Sequence, residues 1–346
     1  MYDYMNDLTN QVQNFNKMLT LLKYRGPDDF NIASSEHVLL GHCRLSIIDL
    51  NGGKQPFKYT YNDIEYTIVY NGEIYNMNTI KEQLIDEGYH FTSQSDTEVV
   101  VASFIAYGPR CLNLFDGIFS FVISYQNKLF VARDQLGVKP LYYYQKDDLF
   151  IFSSEIKCIL SYIGKAVVDQ EGVKELLGLG PSMTPGHTIY KGIYSLRPGY
   201  YMYFDGHCEP ICYWKLHDEE HTDNLEETTQ KVKELVIDRV QNQLLSDVPL
   251  STMLSGGLDS SIITAITKQY VQPLTTYSIT YEDQEKYFKA YDYQTSMDDD
   301  YIREMVERYQ SDHHKITLKQ LDLLNSLEEA LIARDMPGMA DVDSSF

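Results

Sequence analysis

Short runs of β-branched and aromatic residues, separated by turn residues, occupy much of the first half of the chain. The run at 66–73 is rich in Tyr, Thr, Ile and Val, and the Asn-Gly pair at 71–72 predicts a turn. Two predicted hairpins follow, one from 117–124 and 128–133 and the other from 141–144 and 149–153. This part of the chain is therefore expected to be rich in paired strands.

Two helices are predicted to interrupt this pattern. The first covers 78–87 and ends at Gly88, a residue favoured just after a helix C-terminus. The second covers 96–107, with Asp96 as its N-cap and Gly108 after its last turn. Its apolar and small residues recur at helical spacing, which predicts one buried face.

The pattern changes after an acidic stretch without aromatic residues at 216–229, which predicts a linker between domains at 1–215 and 230–346. Beyond it, predicted strands alternate with predicted helices, which is typical of a parallel sheet with crossover helices. The predicted strands are 248–254, 275–281 and 313–317, and the helices are 229–245, 259–270, 300–309 and 321–334.

Charge and composition exclude several functional classes. The chain has 346 residues, with 29 Lys and Arg against 50 Asp and Glu, a net charge of −21. Such an acidic chain repels phosphate backbones, so nucleic acid is not expected as a partner. Apolar runs are too short to span a bilayer, and the acidic N-terminus does not resemble a signal peptide, so a cytoplasmic protein is expected. The five scattered cysteines predict no disulfide framework.

A glycine-rich loop is the strongest local signal for chemistry. Residues Leu254-Ser255-Gly256-Gly257-Leu258-Asp259-Ser260-Ser261 lie between a predicted strand and a predicted helix. Two glycines permit close approach of the backbone to a ligand, and the N–H groups that begin a helix attract anions. Asp259 fits such a site if Mg²⁺ bridges its carboxylate to phosphate. The alternative is a simple Gly-Gly turn followed by a helix cap.

This loop resembles the Ser-Gly-Gly-x-Asp-Ser-Ser loop of the ATP pyrophosphatases, enzymes that activate a carboxylate as an adenylate. The resemblance implies ATP as substrate, with Ser255–Ser261 around its pyrophosphate and Mg²⁺ as cofactor. It also implies an adenine site at Leu254 and at Ile279, near the end of the next strand.

Upstream, six motifs resemble the class II glutamine amidotransferases of the N-terminal-nucleophile type. They occur at 25–29, 44–49, 70–75, 95–98, 133–142 and 152–157. Together with the glycine-rich loop, they resemble the glutamine-hydrolysing asparagine synthetases over almost the whole chain. The implied fold combines α+β and α/β parts: an αββα sandwich, then an incomplete doubly wound parallel sheet.

The residues of these motifs suit free glutamine. Arg44 can hold a carboxylate through paired hydrogen bonds, and Asp96 can pair with an ammonium group. Asn71 and Gly72 can form an oxyanion hole, and Glu73 offers a further polar contact. The resemblance adds Leu45, Ser46, Ile47 and Ile48 to the glutamine site.

The nucleophile of the resembled family does not have a counterpart in its usual place. That family carries a cysteine directly after the initiator methionine, whereas Tyr2 follows Met1 here and the first cysteine is Cys43. Cys43 lies inside the glutamine-binding motif and does not match the nucleophile. The sequence is therefore expected to lack the first strand and glutaminase activity, and to be a piece of a longer enzyme at both ends.

Three functions follow as expectations. The first is synthesis of asparagine from aspartate, ATP and glutamine through β-aspartyl-AMP, with release of AMP, pyrophosphate and glutamate. The second is a β-lactam-synthetase-like enzyme, which would form an amide without the nucleophile. The third is a non-catalytic domain that binds glutamine or ATP. A homodimer, or a partner chain that supplies the remaining synthetase part, is also expected from the resemblance.

Overall fold

The computed structural model of the protein describes residues 1–180, 183–290, 292 and 296–337. These residues form two units. The first comprises Met1–Asp218 together with 334–337, and the second comprises Glu219–Ala333. The last predicted positions of the second domain, 338–346, lie outside the described residues.

Antiparallel strands form the framework of the first unit. They are β1 (Tyr2–Asp3), β2 (Asp29–Ser34), β3 (Leu39–Arg44), β4 (Phe57–Tyr61), β5 (Ile64–Ile74), β6 (Gly117–Tyr125), β7 (Lys128–Arg133), β8 (Tyr142–Lys146), β9 (Leu149–Ser153), β10 (Ile193–Ser195), β11 (Tyr200–Phe204) and β12 (Ile211–Cys212). One sheet has the order β1-β9-β8-β10, a second has the order β12-β11-β7-β6-β5-β4, and β2 pairs with β3.

Two buried clusters show how the layers of this unit pack. One cluster contains Tyr2 and Phe150 from the first sheet, Val122 and Phe204 from the second, and Leu40 from β3. Burial of apolar surface between the two sheets is thus a main source of stability.

A second cluster covers the other side of the four-stranded sheet. The helices of the unit are α1 (Val12–Thr20), α2 (Met77–Asp86), α3 (Asp96–Tyr107), α4 (Ile156–Ile163) and α5 (Gln170–Leu179). Phe15 of α1 and Ile159 of α4 pack with Ile151 of β9 and Ile193 of β10. Helix α3 contacts β4 and β5. The unit is therefore a mixed α/β structure with helices against its four-stranded and six-stranded sheets.

The turn predicted at Asn71-Gly72 is wrong. Both residues lie within β5, where Asn71 pairs with Ser120 and Gly72 pairs with Phe119 of β6. Glycine is required here by close packing and not by a turn, because a Cβ on Gly72 would lie 2.4 Å from the Ile118 carbonyl oxygen.

Two further differences concern the starts of elements. The N-cap of α3 is Ser95, whose side chain accepts a hydrogen bond from the Thr97 N–H, and Asp96 lies in the first turn. Residues Tyr2–Asp3 form β1, which pairs with β9. The sequence predicted no strand at this N-terminal position. The Met1 N-terminal amine donates to the Leu39 carbonyl at 2.7 Å.

The second unit contains a parallel sheet. Its elements are α6 (Leu225–Asn242), β13 (Ser251–Met253), α7 (Leu258–Tyr270), β14 (Thr275–Tyr281), α8 (Gln284–Tyr287), α9 (Asp299–Tyr309), β15 (Asp312–Leu318) and α10 (Gln320–Arg334). The sheet order is β13-β14-β15, and both pairings are parallel, as the alternation of strands and helices predicted.

The start of α6 lies inside the stretch predicted as a linker. Helix α6 begins at Leu225, whereas the sequence predicted a linker up to residue 229. Asn224 and Glu227 form a capping box, in which each side chain accepts a hydrogen bond from the backbone of the other residue. This reciprocal cap stabilises a helix start in an otherwise acidic, exposed segment.

Candidate glutamine pocket and phosphate loop

A cavity of about 320 Å³ lies in the first unit and collects most of the predicted glutamine site. Its size falls in the usual range for small-molecule sites. The predicted residues that line it are Arg44, Leu45, Ile47, Ile48, Asn71, Gly72, Glu73 and Asp96. Ser46 does not line the cavity, and its backbone N–H donates to the Asp28 carboxylate at 2.8 Å.

Arg44 is buried at the end of β3 and organises the loop that follows. Its guanidinium donates to the carbonyl oxygens of Ile48 at 2.9 Å, Asp49 at 2.7 Å and Leu50 at 3.3 Å. Three backbone carbonyls thus accept some of the hydrogen bonds that the Arg44 guanidinium was expected to donate to a ligand carboxylate. The side chain fixes the cavity wall as well as contributing a positive charge to it.

Asp96 is a buried carboxylate in the wall of the cavity. Its Oδ2 accepts hydrogen bonds from the Tyr70 hydroxyl at 2.7 Å and the Ile74 N–H at 3.2 Å. Burial raises its pKa from 3.8 to about 6, against the opposing effect of the Tyr70 hydrogen bond. Among the residues described, no basic side chain forms an ion pair with Asp96.

Three residues around this site were not predicted from the sequence. Gln55 bridges β5 and α3, since its oxygen accepts from the Tyr70 N–H at 2.7 Å and its nitrogen donates to Thr97 Oγ1 at 3.2 Å. His42 Nε2 lies 3.0 Å from the Tyr70 carbonyl oxygen. Nothing in the sequence marks Gln55 or His42, whereas Tyr70 directly precedes the predicted oxyanion pair.

The two cysteines in the cavity wall are not activated thiols. Burial raises the pKa of Cys43 to about 11, and the Cys43 thiol donates to the Leu19 carbonyl at 3.4 Å. Burial likewise raises the pKa of Cys158. Nucleophilic cysteines have lowered pKa values, so neither thiol has the properties of a nucleophile.

Met1 also lines the cavity, and burial lowers the pKa of its amine to about 4.

In the second unit, the predicted phosphate loop connects β13 to α7. Gly256 has φ +80°, and a Cβ there would lie 2.8 Å from the Asp298 carbonyl oxygen. Gly257 is the N-cap of α7, and the Ser255 and Ser260 hydroxyls lie 3.0 Å apart. The loop therefore has the backbone geometry that glycine permits and presents a helix N-terminus.

The remaining predicted ATP residues lie around this loop. Leu254 is buried and donates its N–H to the Tyr277 carbonyl at 2.7 Å, and Ile279 lies further along the same neighbouring strand, β14. Ser261 donates its N–H to the Gly257 carbonyl at 3.1 Å. Leu258 and Asp259 form the exposed first turn of α7.

Two families match the chain in succession. Residues 2–214 match the glutamine amidotransferase domain, and residues 231–346 match asparagine synthase. No helix in the described part of the chain is both long and apolar enough to cross a membrane.

Two individual relatives match nearly the whole chain. Asparagine synthetase [glutamine-hydrolyzing] 3 of Bacillus subtilis (strain 168) is 45% identical over 99% of this chain, which covers 58% of that relative. A putative asparagine synthetase [glutamine-hydrolyzing] 2 of Methanocaldococcus jannaschii is 33% identical over 94% of this chain and 65% of its own length. The chain thus spans less than two thirds of either relative.

Among solved structures, a glutamine phosphoribosylpyrophosphate amidotransferase from B. subtilis is 19% identical with a TM-score of 0.45, covering 60% of this chain and 48% of that one. The sequence matches carry the assignment: the chain belongs to the glutamine amidotransferase domain family over residues 2–214 and continues into an asparagine synthase region.

Proposed function

We propose that the cavity of the first unit binds free glutamine. The observation that carries this proposal is Asp96, a buried carboxylate with no cationic partner among the described residues, in one cavity with Arg44 and Asn71. A buried charge is costly unless it is paired, and the α-ammonium group of an amino acid would pair it. Arg44 supplies positive charge for the α-carboxylate.

Ionisation of Asp96 would couple to binding. An ammonium group favours the charged carboxylate and so opposes the effect of burial on the pKa of Asp96. Near pH 7 the carboxyl group, with its pKa at about 6, is mostly ionised and able to form this pair.

Asn71 and Gly72 would receive the side-chain amide of glutamine. Donors aimed at the oxygen of a reacting carbonyl stabilise the negative charge that develops there. Strand β5 holds both residues next to β6, so this pair would be preorganised. Hydrolysis also needs a nucleophile, and Cys43 and Cys158 have raised pKa values. We therefore expect this chain to bind glutamine with little turnover.

For the second unit we propose that the loop at 255–261 holds the pyrophosphate of ATP. The N–H groups at the start of α7, together with the hydroxyls of Ser255 and Ser260, would contact the phosphate oxygens. Asp259 offers an exposed carboxylate in the first turn of α7. This suits Mg²⁺, which binds through one or two carboxylates plus substrate phosphates and would neutralise phosphate charge.

The reaction that we propose, by analogy with the relatives of which this chain spans less than two thirds, is glutamine-dependent asparagine synthesis. Aspartate and ATP would form β-aspartyl-AMP and pyrophosphate, and ammonia from glutamine would displace AMP to give asparagine. The family matches support glutamine-dependent synthesis, while the identity of the acceptor and any dimer or partner chain remain part of the proposal.

We also propose that the layers of the first unit are the αββα sandwich, that the sheet of the second unit is part of a doubly wound sheet, and that the protein is cytoplasmic.

A β-lactam-synthetase-like function would not need a glutamine site. The chain keeps Arg44, Asn71, Gly72 and Asp96 in one cavity, which favours the glutamine-dependent function over that alternative. A non-catalytic glutamine-binding role predicts the same binding without any product, and an assay of released glutamate, run beside the titration, measures that product.

Calorimetric titration with L-glutamine tests the first proposal. We expect saturable binding by the chain, with loss of at least tenfold in affinity in Asp96→Asn. Asp86→Asn, on the exposed face of α2, removes the same charge outside the cavity and is the matched control. Absence of binding by the unmodified chain, or equal affinity in Asp96→Asn, would contradict the proposal.

A further inference from the structure

Tyr70 makes hydrogen bonds through all three of its polar groups. The hydroxyl donates to Asp96 Oδ2 at 2.7 Å, the backbone N–H donates to the Gln55 side chain at 2.7 Å, and the carbonyl lies 3.0 Å from His42 Nε2. Tyr70 is buried, with 3% of its surface exposed. Both its backbone and its ring are therefore held in one position.

The proton on each of these bonds can be assigned from the partners. An ionised carboxylate only accepts hydrogen bonds, so the Tyr70 hydroxyl must donate to Asp96. A carbonyl oxygen also only accepts, so His42 must carry its proton on Nε2. Burial lowers the pKa of His42 to about 4, so the ring is neutral near pH 7.

The hydrogen bonds from β5 hold the Asp96 carboxylate by one of its oxygens. The bonds from the Tyr70 hydroxyl at 2.7 Å and the Ile74 N–H at 3.2 Å both end at Oδ2. The Thr97 backbone N–H also acts on this carboxylate. Without the hydroxyl, the carboxylate would lose the shorter of the two bonds that hold Oδ2.

Tyr70 also joins this carboxylate to the neighbouring part of the cavity. Its carbonyl shares a peptide bond with the Asn71 N–H, so the contact with His42 fixes the peptide plane that leads into Asn71 and Gly72. The two ends of the glutamine site, the ammonium end and the amide end, are thus held by one residue.

We propose that Tyr70 is a positioning residue, whose hydroxyl orients the Asp96 carboxylate and keeps it ionised for the α-ammonium group of glutamine. This inference rests on the glutamine-binding function proposed above. The titratable groups that act on Asp96 are Tyr70 and Glu73, both on β5, and the Glu73 charge opposes ionisation of Asp96 while the Tyr70 hydrogen bond favours it.

The test is the pH dependence of glutamine affinity in Tyr70→Phe. Loss of the hydrogen bond from the Tyr70 hydroxyl should raise the pKa of Asp96 by about one unit. The pH below which glutamine affinity falls should therefore also rise by about one unit. Dissociation constants from calorimetry at pH 5.5 should then rise about five- to tenfold more than those at pH 8. An equal loss of affinity at every pH would overturn the inference, because a merely structural role predicts that result.

Tyr59→Phe is the matched control. Tyr59 is a buried tyrosine on the adjacent strand β4, and its hydroxyl donates to the His90 carbonyl at 3.0 Å, outside the cavity wall. This variant should unfold more easily while its affinity profile keeps the shape of the unmodified chain. A shift of the same size in Tyr59→Phe would also overturn the inference.

A second measurement separates this inference from the proposed function. Carbon-13 NMR of the glutamine-free chain gives the pKa of the Asp96 carboxyl directly, and Tyr70→Phe should raise that pKa by about one unit. Failure of the unmodified chain to bind glutamine would then contradict the function alone, whereas an unchanged Asp96 pKa would overturn the role of Tyr70.

A readout without any variant covers the case in which Tyr70→Phe does not fold. The buried Tyr70 hydroxyl proton should exchange slowly, and its resonance should shift with the same pH midpoint as the Asp96 carboxyl. Independent midpoints for the two groups would overturn the inference.

Discussion

The side-chain oxygen of Gln55 accepts a hydrogen bond from the backbone N–H of Tyr70 at 2.7 Å. Strand β4 begins at Phe57, which pairs with Ile68 of β5, so the Gln55 side chain takes the place of a partner strand at Tyr70. Through its nitrogen, Gln55 also reaches Thr97 on α3. The strand that carries Asn71 and the helix that carries Asp96 are thus joined by one amide.

Replacement of Gln55 by Leu should destabilise the first unit. The side chain is buried, and the change would leave the Tyr70 N–H without its acceptor at a cost of about 1–3 kcal/mol. Urea unfolding measures this loss, with Gln13→Leu on the exposed part of α1 as the control. Equal stability of the two variants would show that the Gln55 bridge contributes nothing.

Gly72→Ala should disturb the pairing of β5 with β6. Its Cβ would meet the Ile118 carbonyl oxygen at 2.4 Å and Phe119 Cα at 2.8 Å, so backbone must move at a cost of about 1–3 kcal/mol. Gly178→Ala, in α5, is the control because its Cβ meets nothing within 4 Å. That change should be neutral or stabilise the chain by up to about 1 kcal/mol. Thermal unfolding of both variants distinguishes the two environments.

The stability of the folded chain should fall as the pH rises from about 4 to about 6. Burial raises the pKa of Asp96 from 3.8 to about 6, so the folded chain retains a proton that the unfolded chain has already released. The contribution of Asp96 to the free energy of unfolding is fully present below its pKa of 3.8 in the unfolded chain. This contribution is lost as the pH rises through its pKa of about 6 in the folded chain, a total of about 3 kcal/mol.

Asp96→Asn should remove this pH dependence. The amide does not titrate, so the free energy of unfolding should be flatter between pH 4 and 6 and about 1–2 kcal/mol higher at pH 7. Denaturant unfolding at each pH gives the comparison, and Asp86→Asn should retain the original slope. An unchanged slope in Asp96→Asn would mean that other groups produce the effect. Greater stability with weaker glutamine binding would indicate that the buried charge is kept for binding.

Adjacent glycines in the phosphate loop should respond differently to alanine. Gly256 has φ +80° and its Cβ would approach the Asp298 carbonyl at 2.8 Å, so Gly256→Ala should cost about 1–3 kcal/mol and weaken ATP binding. The Cβ of Gly257→Ala would meet the Ser255 hydroxyl at an ordinary 3.4 Å, which predicts a smaller loss of stability. Unfolding and nucleotide titrations of the two variants test this order. A larger loss of stability in Gly257→Ala would contradict the described loop geometry.

Three elements of the second unit follow closely from local sequence, whereas β13 is shorter than the strand predicted at 248–254 and α8 was not predicted. The strand predicted at 275–281 is β14, and the helices predicted after Gly257 and after residue 299 are α7 and α9, each within one residue at its start. Here β-branched runs, helix starts and glycines act over short distances, so local preferences are sufficient. The start of α6 was missed because the capping box of Asn224 and Glu227 lies in a stretch whose acidity resembles a linker.

In the first unit, local preference and tertiary packing disagree at Asn71-Gly72. The dipeptide favours a turn in isolation, yet β5 continues through it because β6 supplies hydrogen bonds along the whole strand and leaves room only for glycine at position 72. The motifs of the sequence indicated, apart from Ser46, residues that line the cavity for which we propose glutamine binding. They did not indicate that Arg44 would also hold three carbonyls of its own loop.

The sequence by itself determined the family, the two-part organisation and the candidate residues, because motifs and periodicities are properties of neighbouring positions. Tertiary structure alone decided the environment of those residues. Asp96 and Tyr70 are 26 positions apart, and only the packing of α3 against β5 buries the carboxylate beside that hydroxyl. Burial and long-range hydrogen bonds set the charge of such a group, and neither is encoded in its immediate neighbours.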